Sequence, residues 1–220
     1  MANIEQIDLL QQGVEEWNDW RIQNLAVIPD LSKADLSGIS LQFVNLSRAN
    51  LASTNLEGSD LRNANLRNAC LDRANLHLAD LIEANMQEAS LQYTCLQGAD
   101  LYKAILSGAN FYGANLNQAI ARRANLEKAA LRAIEGCMTD FLQANLMRAQ
   151  FDMANLYKAN FEGSNLIEAR LNWANLLDAN LRKANLCRAS LHRANLCRAT
   201  LQDAMLKGTI LSDGSIAGRD

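Results

Sequence analysis

The feature that most constrains this chain is a repeat of five residues. Leu fills 30 of the 37 positions found by counting in fives from Leu31 to Leu211. Ala is the usual residue two places before each Leu, and Asn or Asp is the usual residue directly before it. The repeat is therefore A-(N/D)-L-x-x. Because internal repeats define the fold when they are present, this pattern is the starting point for the whole chain.

An α-helix and a straight strand are both incompatible with this period. A helix turns about 100° per residue, so five residues place successive Leu side chains roughly 140° apart around the axis. A strand alternates with a period of two, so an odd repeat sends successive Leu to opposite faces. A chain that bends once per repeat instead points every Ala and Leu inward. The pattern thus predicts a solenoid filled with Leu and Ala.

The repeats AN-L-SR, AN-L-AS, AN-L-RN, AN-L-HR and AN-L-CR resemble those of the pentapeptide-repeat family. The resemblance implies an all-β fold, the right-handed quadrilateral parallel β-helix, with four repeats and 20 residues per coil. About nine coils at about 4.8 Å each give a rod of roughly 40–45 Å. We expect a helical cap and lead-in over residues 1–29, the β-helix over 30–212 and a C-terminal tail over 213–220.

The N-terminal end needs a cap, because a solenoid otherwise exposes its apolar cross-section there. Residues 3–24 have the pattern of one capping α-helix. Asn3 is placed to cap it, with Gln6 at the capping-box position. The spacing of Ile7, Leu10 and Trp17 puts these side chains on one helical face. The string GVEEWNDWR resembles the N-terminal cap of other bacterial proteins of the family.

One segment, residues 131–140, departs from the consensus. Ile134 stands where Ala is expected, Glu135 replaces Asn, and Gly136 replaces Leu. The phase continues at Phe141. The departure indicates a bulged side or a small loop, which is either a tolerated irregularity or a recognition feature.

Composition narrows the functional classes. No apolar run approaches the roughly 20 residues that a membrane span needs, and the first ten residues lack the features of a secretory signal. We therefore expect a cytoplasmic protein with its five Cys reduced and with no membrane association. With two His and one Pro, the chain shows no catalytic set, no metal-ligand spacing and no cofactor motif, so we expect no enzyme and no cofactor.

Charge is distributed unevenly along the chain, although the net charge is only −3. Residues 1–20 carry five acidic side chains and no Lys or Arg, whereas residues 181–200 carry five basic ones and no acidic one. We name the latter the basic belt: Arg182, Lys183, Arg188, Arg193 and Arg198. The belt is either a solubilising end band or an electrostatic docking site for an acidic protein, including the N-terminal helix of a second copy in end-to-end association.

Exposed apolar residues form a second candidate surface. Tyr157 and Leu177 lie on one face of the expected rod, and Trp173 lies on the adjacent face. Exposed aromatic side chains in a row suggest a protein contact. Together with the basic belt, these three residues are the predicted contact residues.

The resulting function prediction is a non-catalytic interaction or scaffold protein with an unidentified protein partner. The alternative is a DNA mimic that protects DNA gyrase, as the resemblance implies for some family members. That role needs a strongly acidic rod, which the charge of −3 and the basic C-terminal coils do not supply. Nucleic acid is an unlikely partner, because the belt residues fall on four different faces and cannot meet one duplex.

Overall fold

The computed structural model describes residues 3–218, which form a helical cap followed by a four-sided rod. The cap has two helices, α1 (Ile4–Gln12) and α2 (Val14–Gln23). The single helix predicted over residues 3–24 is therefore interrupted, and the interruption falls at Gly13. Glycine is among the poorest helix formers, so it is the natural place for the break.

The rod is built by parallel pairing of residues 20 apart. The pairs run without a gap from Asp30↔Asn50 to Ser190↔Ile210, which is nine coils. In each repeat of the described chain the paired residue is the one before Leu, so every side of a coil contributes one bridge and no longer strand. Backbone hydrogen bonds join the coils; for example, Leu31 N–H donates to Asn50 O at 2.8 Å. We call this paired residue the bridge position.

Each corner between two sides is a tight turn of one kind. Two turn positions follow each central Leu, and the backbone closes with a bond such as Ala34 N–H to Leu31 O at 3.1 Å. The second turn position has φ between 54° and 74° at every corner from Lys33 to Gly208. Positive φ at this position is the mark of type II turns. Most of these residues are not glycine, so the stacked coils impose a conformation that L-residues otherwise avoid.

The four faces are defined by their central residues, which recur every 20 positions. We number them by the first centre: Leu31 begins face 1, Leu36 face 2, Leu41 face 3 and Leu46 face 4. Faces 1 and 3 lie opposite each other, as do faces 2 and 4, because half a coil is ten residues. This numbering is used below to place each candidate residue.

Central and Ala side chains fill the interior of the rod. From Leu31 to Leu191 the central residues are at most 1% exposed. Three of the Phe residues that replace Leu pack together: Phe141 and Phe161 stack with centroids 5.0 Å apart, and Phe151 meets both edge-on. The last centres, Leu196, Leu201 and Leu206, are only half-buried. The interior is therefore dry and continuous except at its C-terminal end.

The bridge position is usually Asn or Asp because its side chain makes two bonds that the fold needs. Asn50 Oδ1 accepts from the N–H of Ala52, two residues on, which fixes the start of the turn. Asn50 Nδ2 donates to Asp30 Oδ1, one coil earlier, at 2.9 Å. Repetition of this second bond makes amide ladders, such as Asn125–Asn145–Asn165 on face 4. The ladders hold successive coils in register.

The segment 131–140 is regular, so the predicted bulge or loop is wrong. Glu135 pairs with both Asn115 and Asn155 at the normal spacing. Ile134 and Gly136 are buried in the interior. A Cβ on Gly136 would lie 3.3 Å from Ile134 Cδ1, so the larger side chain fills the space that the missing Leu leaves. The departure from consensus is an exchange of volume inside one repeat.

The cap closes the first coil with side chains that substitute for a preceding coil. Trp17 Nε1 donates to Asn45 O at 2.8 Å, and Arg21 Nη2 donates to Ser47 O at 3.0 Å. Asn18 Oδ1 accepts from Asn45 N–H at 2.8 Å. Elsewhere in the rod, the preceding coil satisfies these backbone groups, as in the bond from Asn65 N–H to Val44 O. The cap therefore ends the edge of the sheet as well as covering the apolar core.

The start of α1 is tied to the rod in the same way. The predicted cap is confirmed, since Asn3 Oδ1 accepts from Gln6 N–H at 3.2 Å. The capping-box role of Gln6 is wrong: its Oε1 instead accepts from Asp30 N–H at 2.8 Å. Asn3 N–H donates to Asp30 O at 2.8 Å. The backbone N–H and C=O of Asp30 are thus both hydrogen-bonded to residues at the start of α1.

Candidate functional site

A groove on face 1 is the concavity that brings the most varied set of side chains together. Its volume is about 660 Å³, and it follows the rod axis over the coils that contain residues 130–214. Ten residues line it: Arg132, Asp152, Met153, Arg170, Asn172, Trp173, Ser190, His192, Ile210 and Gly214. It combines exposed cations, exposed apolar side chains and one buried carboxylate. We call it the face 1 groove.

The groove lies where face 1 has lost its amide ladder. On face 4 the bridge position is Asn in seven of the nine coils, whereas face 1 has other residues from Cys70 onward except at Asn110. In the groove the bridge residues are Ala130, Gln150, Arg170, Ser190 and Ile210. The ladder residues hold the coils together. Their absence from one face therefore indicates that the residues of this face meet a second requirement.

A chain of polar contacts along the groove replaces the ladder. Asp152 is 5% exposed, and its Oδ1 accepts from Asn172 Nδ2 at 2.8 Å. Asn172 Oδ1 accepts in turn from Ser190 Oγ at 2.5 Å. Arg170 Nη2 lies 3.1 Å from Asp152 Oδ2. The chain joins three coils and fixes the position of a guanidinium at the groove surface.

The apolar part of the groove is formed at the second turn position. Met153 is 54% exposed and Trp173 is 55% exposed, one coil apart. The guanidinium of Arg193, in the next coil, lies 4.4 Å from the centroid of the Trp173 ring. This distance is that of a cation–π contact, which orients both side chains. The contact therefore places the Arg193 guanidinium against the exposed Trp173 ring.

The apolar residues predicted as contacts lie on two adjacent faces of the rod. Trp173 lies in the face 1 groove, whereas Tyr157 and Leu177 lie on face 2 and are half-buried. Lys158 Nζ lies 5.1 Å from the centroid of the Tyr157 ring and covers it in part. Of these three residues, Trp173 alone belongs to the groove.

The basic belt encircles the rod and forms no single surface. Arg182 and Lys183 lie on face 3, Arg188 on face 4, Arg193 on face 1 and Arg198 on face 2. Arg193 alone reaches the groove, through its contact with Trp173.

Two belt residues are already engaged by carboxylates. Arg188 Nη1 lies 3.7 Å from Glu168, and Arg198 Nε lies 2.7 Å from Asp178. The hydrogen bond to Asp178 raises the pKa of Arg198. Both carboxylates lie one coil earlier on the same face, so these pairs mainly tie neighbouring coils together.

Sequence reasoning placed Trp173 on this face but missed the polar residues of the groove, because it sorted only the apolar side chains into rows along the axis. Arg132, Asp152, Asn172 and His192 are 20 residues apart in succession, so they form one row at the first turn position. The loss of Asn and Asp at the face 1 bridge position was the available signal. Sorting the repeats by face would have revealed both.

The two ends of the rod differ in charge and in burial. The acidic side chains Glu5, Asp8, Glu15, Glu16 and Asp19 are all exposed on the cap. At the other end, residues 211–217 fold back, with Ile216 paired antiparallel to Ile210, and leave the last central Leu residues half-buried. End-to-end association stays a prediction.

Membrane-spanning helices and metal-binding clusters are both absent from residues 3–218. Neither α1 nor α2 is long and apolar enough to cross a membrane. No three His, Cys, Asp or Glu side chains within residues 3–218 are grouped so that they could hold a metal ion.

The repeats of this chain match those of known proteins. The family model described as pentapeptide repeats matches in eight copies, over residues 30–68, 69–108, 109–133, 144–176 and 174–213. The unmatched residues 134–143 overlap the segment in which Ile134 and Gly136 exchange volume. No protein with a curated function is similar enough to count as a match.

Solved structures with similar folds are pentapeptide-repeat proteins. HetL of the cyanobacterium Nostoc sp. strain PCC 7120, which is involved in heterocyst differentiation regulation, is 32% identical with a TM-score of 0.51, covering 89% of this chain and 97% of HetL. QnrB1, a plasmid-mediated fluoroquinolone resistance protein, is 15% identical with a TM-score of 0.38, covering 85% of this chain and 88% of QnrB1. Rfr23 of the cyanobacterium Cyanothece 51142 is 22% identical with a TM-score of 0.20, covering 87% of this chain and 92% of Rfr23. The predicted right-handed β-helix is confirmed, and this chain belongs to the pentapeptide-repeat family.

Proposed function

We propose that this protein is a non-catalytic interaction module that binds another protein through the face 1 groove. The observation that carries the proposal is the exposure of Trp173 and Met153 in a groove that also displays Arg132, Arg170 and His192. Aromatic side chains, Met and Arg are the types enriched at protein interfaces. The rod holds them at fixed spacing, so little ordering is needed on binding.

The groove does not favour the alternative of a gyrase-protecting DNA mimic. A duplex mimic needs rows of acidic side chains along the rod. The face 1 groove instead presents Arg132 and Arg170, and its single carboxylate, that of Asp152, is buried. The likeness to QnrB1 is confined to the fold and carries no functional argument.

The proposal is tested by capturing partners from the native cell lysate with matched surface variants. The bait is the whole chain, either unchanged or with Trp173→Ser, and captured proteins are quantified by mass spectrometry. The control is Phe43→Ser, because Phe43 is a 65% exposed aromatic side chain at the same turn position on the opposite face. Circular dichroism confirms that the variants keep the fold.

We expect a stoichiometric partner that Phe43→Ser retains and Trp173→Ser loses. A central Trp at an interface contributes about 2 kcal/mol, which corresponds to roughly a 30-fold loss of affinity. Equal capture by all three baits would show that the groove is not the contact surface. A partner lost only with Tyr157→Ser or Leu177→Ser would move the contact to face 2.

A further inference from the structure

Two cations at the groove, Arg132 and Arg193, lack the carboxylate partners that several other Arg residues of the rod have. Arg62, Arg122 and Arg148 each lie within 3 Å of an Asp or Glu in the same or a neighbouring coil. Arg132 and Arg193 have no carboxylate oxygen within 4 Å among residues 3–218, although both are exposed. Their charges are therefore open to an external anionic group.

Arg170 is held at the groove by a buried counter-ion. Asp152 is almost fully buried, with its Oδ1 bonded to Asn172 and its Oδ2 3.1 Å from Arg170 Nη2. Oδ2 receives no well-aligned hydrogen bond, so the pairing fixes the position of the guanidinium without using its donors fully. The Arg170 side chain is 57% exposed. A guanidinium has five N–H donors, so Arg170 retains donors that face solvent.

Few carboxylates compete for these cations within the groove. Asp213 lies further along face 1, but its carboxylate accepts from the N–H and the hydroxyl of Ser215, at 2.8 and 2.6 Å. Those hydrogen bonds lower the pKa of Asp213 and keep it ionised and occupied. The positive charges on this surface, those of Arg132, Arg170 and Arg193, thus outnumber its free carboxylates.

We infer that the face 1 groove binds an extended acidic segment of a partner protein, with carboxylates on Arg132, Arg170 and Arg193 and an apolar side chain on Met153 and Trp173. This inference rests on the proposed function and names the chemistry of the partner. The stacked guanidinium of Arg193 keeps its in-plane donors free for a carboxylate. The exposed apolar surface explains why a segment with both carboxylates and an apolar side chain fits better than a simple anion.

The dimensions of the groove set the length of the segment. Arg132 and His192 are three coils apart, which is about 14 Å along the axis. An extended peptide advances about 3.3 Å per residue, so four or five residues span this distance. Alternate residues point to one side, so every second residue faces the groove. An eight-residue peptide, Glu-Ser-Leu-Ser-Glu-Ser-Glu-Ser, therefore turns three carboxylates and one apolar side chain toward the groove.

A nucleic acid fits the same surface less well. The groove offers three Arg and His192 against one buried carboxylate, and much of its floor is Met153, Trp173 and Ile210. Binding of nucleic acid depends on contacts with many successive phosphates and rises with their number. The apolar floor has no equivalent on a phosphate backbone. The acidic peptide is therefore the favoured occupant.

The test measures the binding of the fluorescein-labelled peptide Glu-Ser-Leu-Ser-Glu-Ser-Glu-Ser to the whole chain by fluorescence anisotropy. Two matched peptides replace every Glu with Gln or with Lys, and a single-stranded 12-nucleotide DNA serves as the other polyanion. The variants are Arg132→Glu, Arg193→Glu and Asp152→Asn. The control is Arg123→Glu, which changes an exposed Arg with no carboxylate within 4 Å, on the opposite face.

We expect the Glu peptide to bind at least ten-fold more tightly than the Gln and Lys peptides and the DNA. Arg132→Glu and Arg193→Glu should each weaken it at least ten-fold, while Arg123→Glu leaves it unchanged. Asp152→Asn should weaken it several-fold without unfolding the rod, because the side chain keeps its shape but no longer fixes Arg170. Salt should weaken the Glu peptide more than the Gln peptide.

The other outcomes separate this inference from the proposed function. Equal binding of the Glu and Gln peptides, or tighter binding of the Lys peptide or the DNA, overturns the acidic partner. If Trp173→Ser still abolishes capture of a cellular partner in that case, the groove is a contact surface for a segment of different chemistry. If the groove variants keep both peptide binding and partner capture, this inference and the proposed function are both overturned.

Discussion

At the scale of single residues, the interior accepts an exchange of volume between neighbouring positions of one repeat. Ile134 occupies the position of the usual Ala, and Gly136 occupies the position of the usual Leu. A Cβ on Gly136 would lie 3.1 Å from Leu156 Cδ2 and 3.3 Å from Ile134 Cδ1. The space is therefore full, and the two substitutions compensate each other, as close packing requires.

This compensation predicts strong coupling between the two positions. Ile134→Ala alone should cost about 2–5 kcal/mol through the cavity, and Gly136→Leu alone should cost about 1–3 kcal/mol through crowding. The double variant restores the consensus repeat and should recover most of the stability. Denaturant unfolding followed by circular dichroism measures the coupling. Additive effects of the two substitutions would show that the side chains do not share one space.

The interior was predictable from the sequence residue by residue, and the turns were not. A period of five with Leu at the centre assigns an inward direction to each Leu and Ala, and the burial follows. The sequence at the second turn position ranges over Lys, Glu, Met, Trp and Gly, yet every such residue has φ near 60°. No local preference encodes this, because the stacking of the coils imposes the conformation on whichever residue is present.

At the scale of the elements, the cap works through hydrogen bonds as much as through apolar contact. Apolar spacing predicted a helical cap, and Leu10 and Trp17 are indeed buried. The break at Gly13 and the roles of Asn18 and Arg21 could not be predicted from periodicity. They depend on which backbone groups of the first coil lie beneath the helices, and only the assembled structure determines that.

The cap predicts a local effect of Asn18→Ala. This change leaves the part-buried Asn45 N–H and the exposed Phe43 O without their partners, so we expect a cost of about 1 kcal/mol, the low end for an unsatisfied group. Amide exchange should accelerate in the first coil and in α2, and remain unchanged beyond the middle of the rod. The matched control is Gln23→Ala, an exposed residue of α2. Equal exchange in both variants would contradict the role of Asn18.

The candidate groove illustrates the limit of linear motifs in a solenoid. Its residues come in groups of one to three from successive coils, about 20 positions apart, so no single stretch of sequence contains the groove. The basic belt was instead chosen by local clustering of charge, which gathered residues from four faces, and only the apolar contacts were sorted by face. Trp173 and Arg193 belong to the groove because they lie one coil apart on one face. In a rod, a functional surface is defined by the 20-residue row.

At the scale of the whole molecule, the rod transmits disturbance only from coil to coil. Each coil contacts the coils before and after it, so stability is close to a sum over neighbours. Leu116 lies on face 2 between Leu96 and Gly136, at the middle of the rod and fully buried. Gly136 contributes no side chain to the packing next to Leu116. Ile134 fills the space that a central Leu would occupy there. A charge at position 116 would therefore lie where the packing of the rod is least uniform.

Leu116→Lys should open the middle of the rod first, because a buried ammonium without a partner is strongly unfavourable. Hydrogen exchange monitored by mass spectrometry should accelerate in the coils around residues 96–136, with the effect decreasing toward the cap. The control Gln118→Lys adds the same charge at an exposed turn position of the same repeat and should leave exchange unchanged. A uniform rise along residues 30–210 would mean that the rod unfolds as one cooperative unit. Local opening would mean that the cap and the distant coils of the groove hold their structure independently.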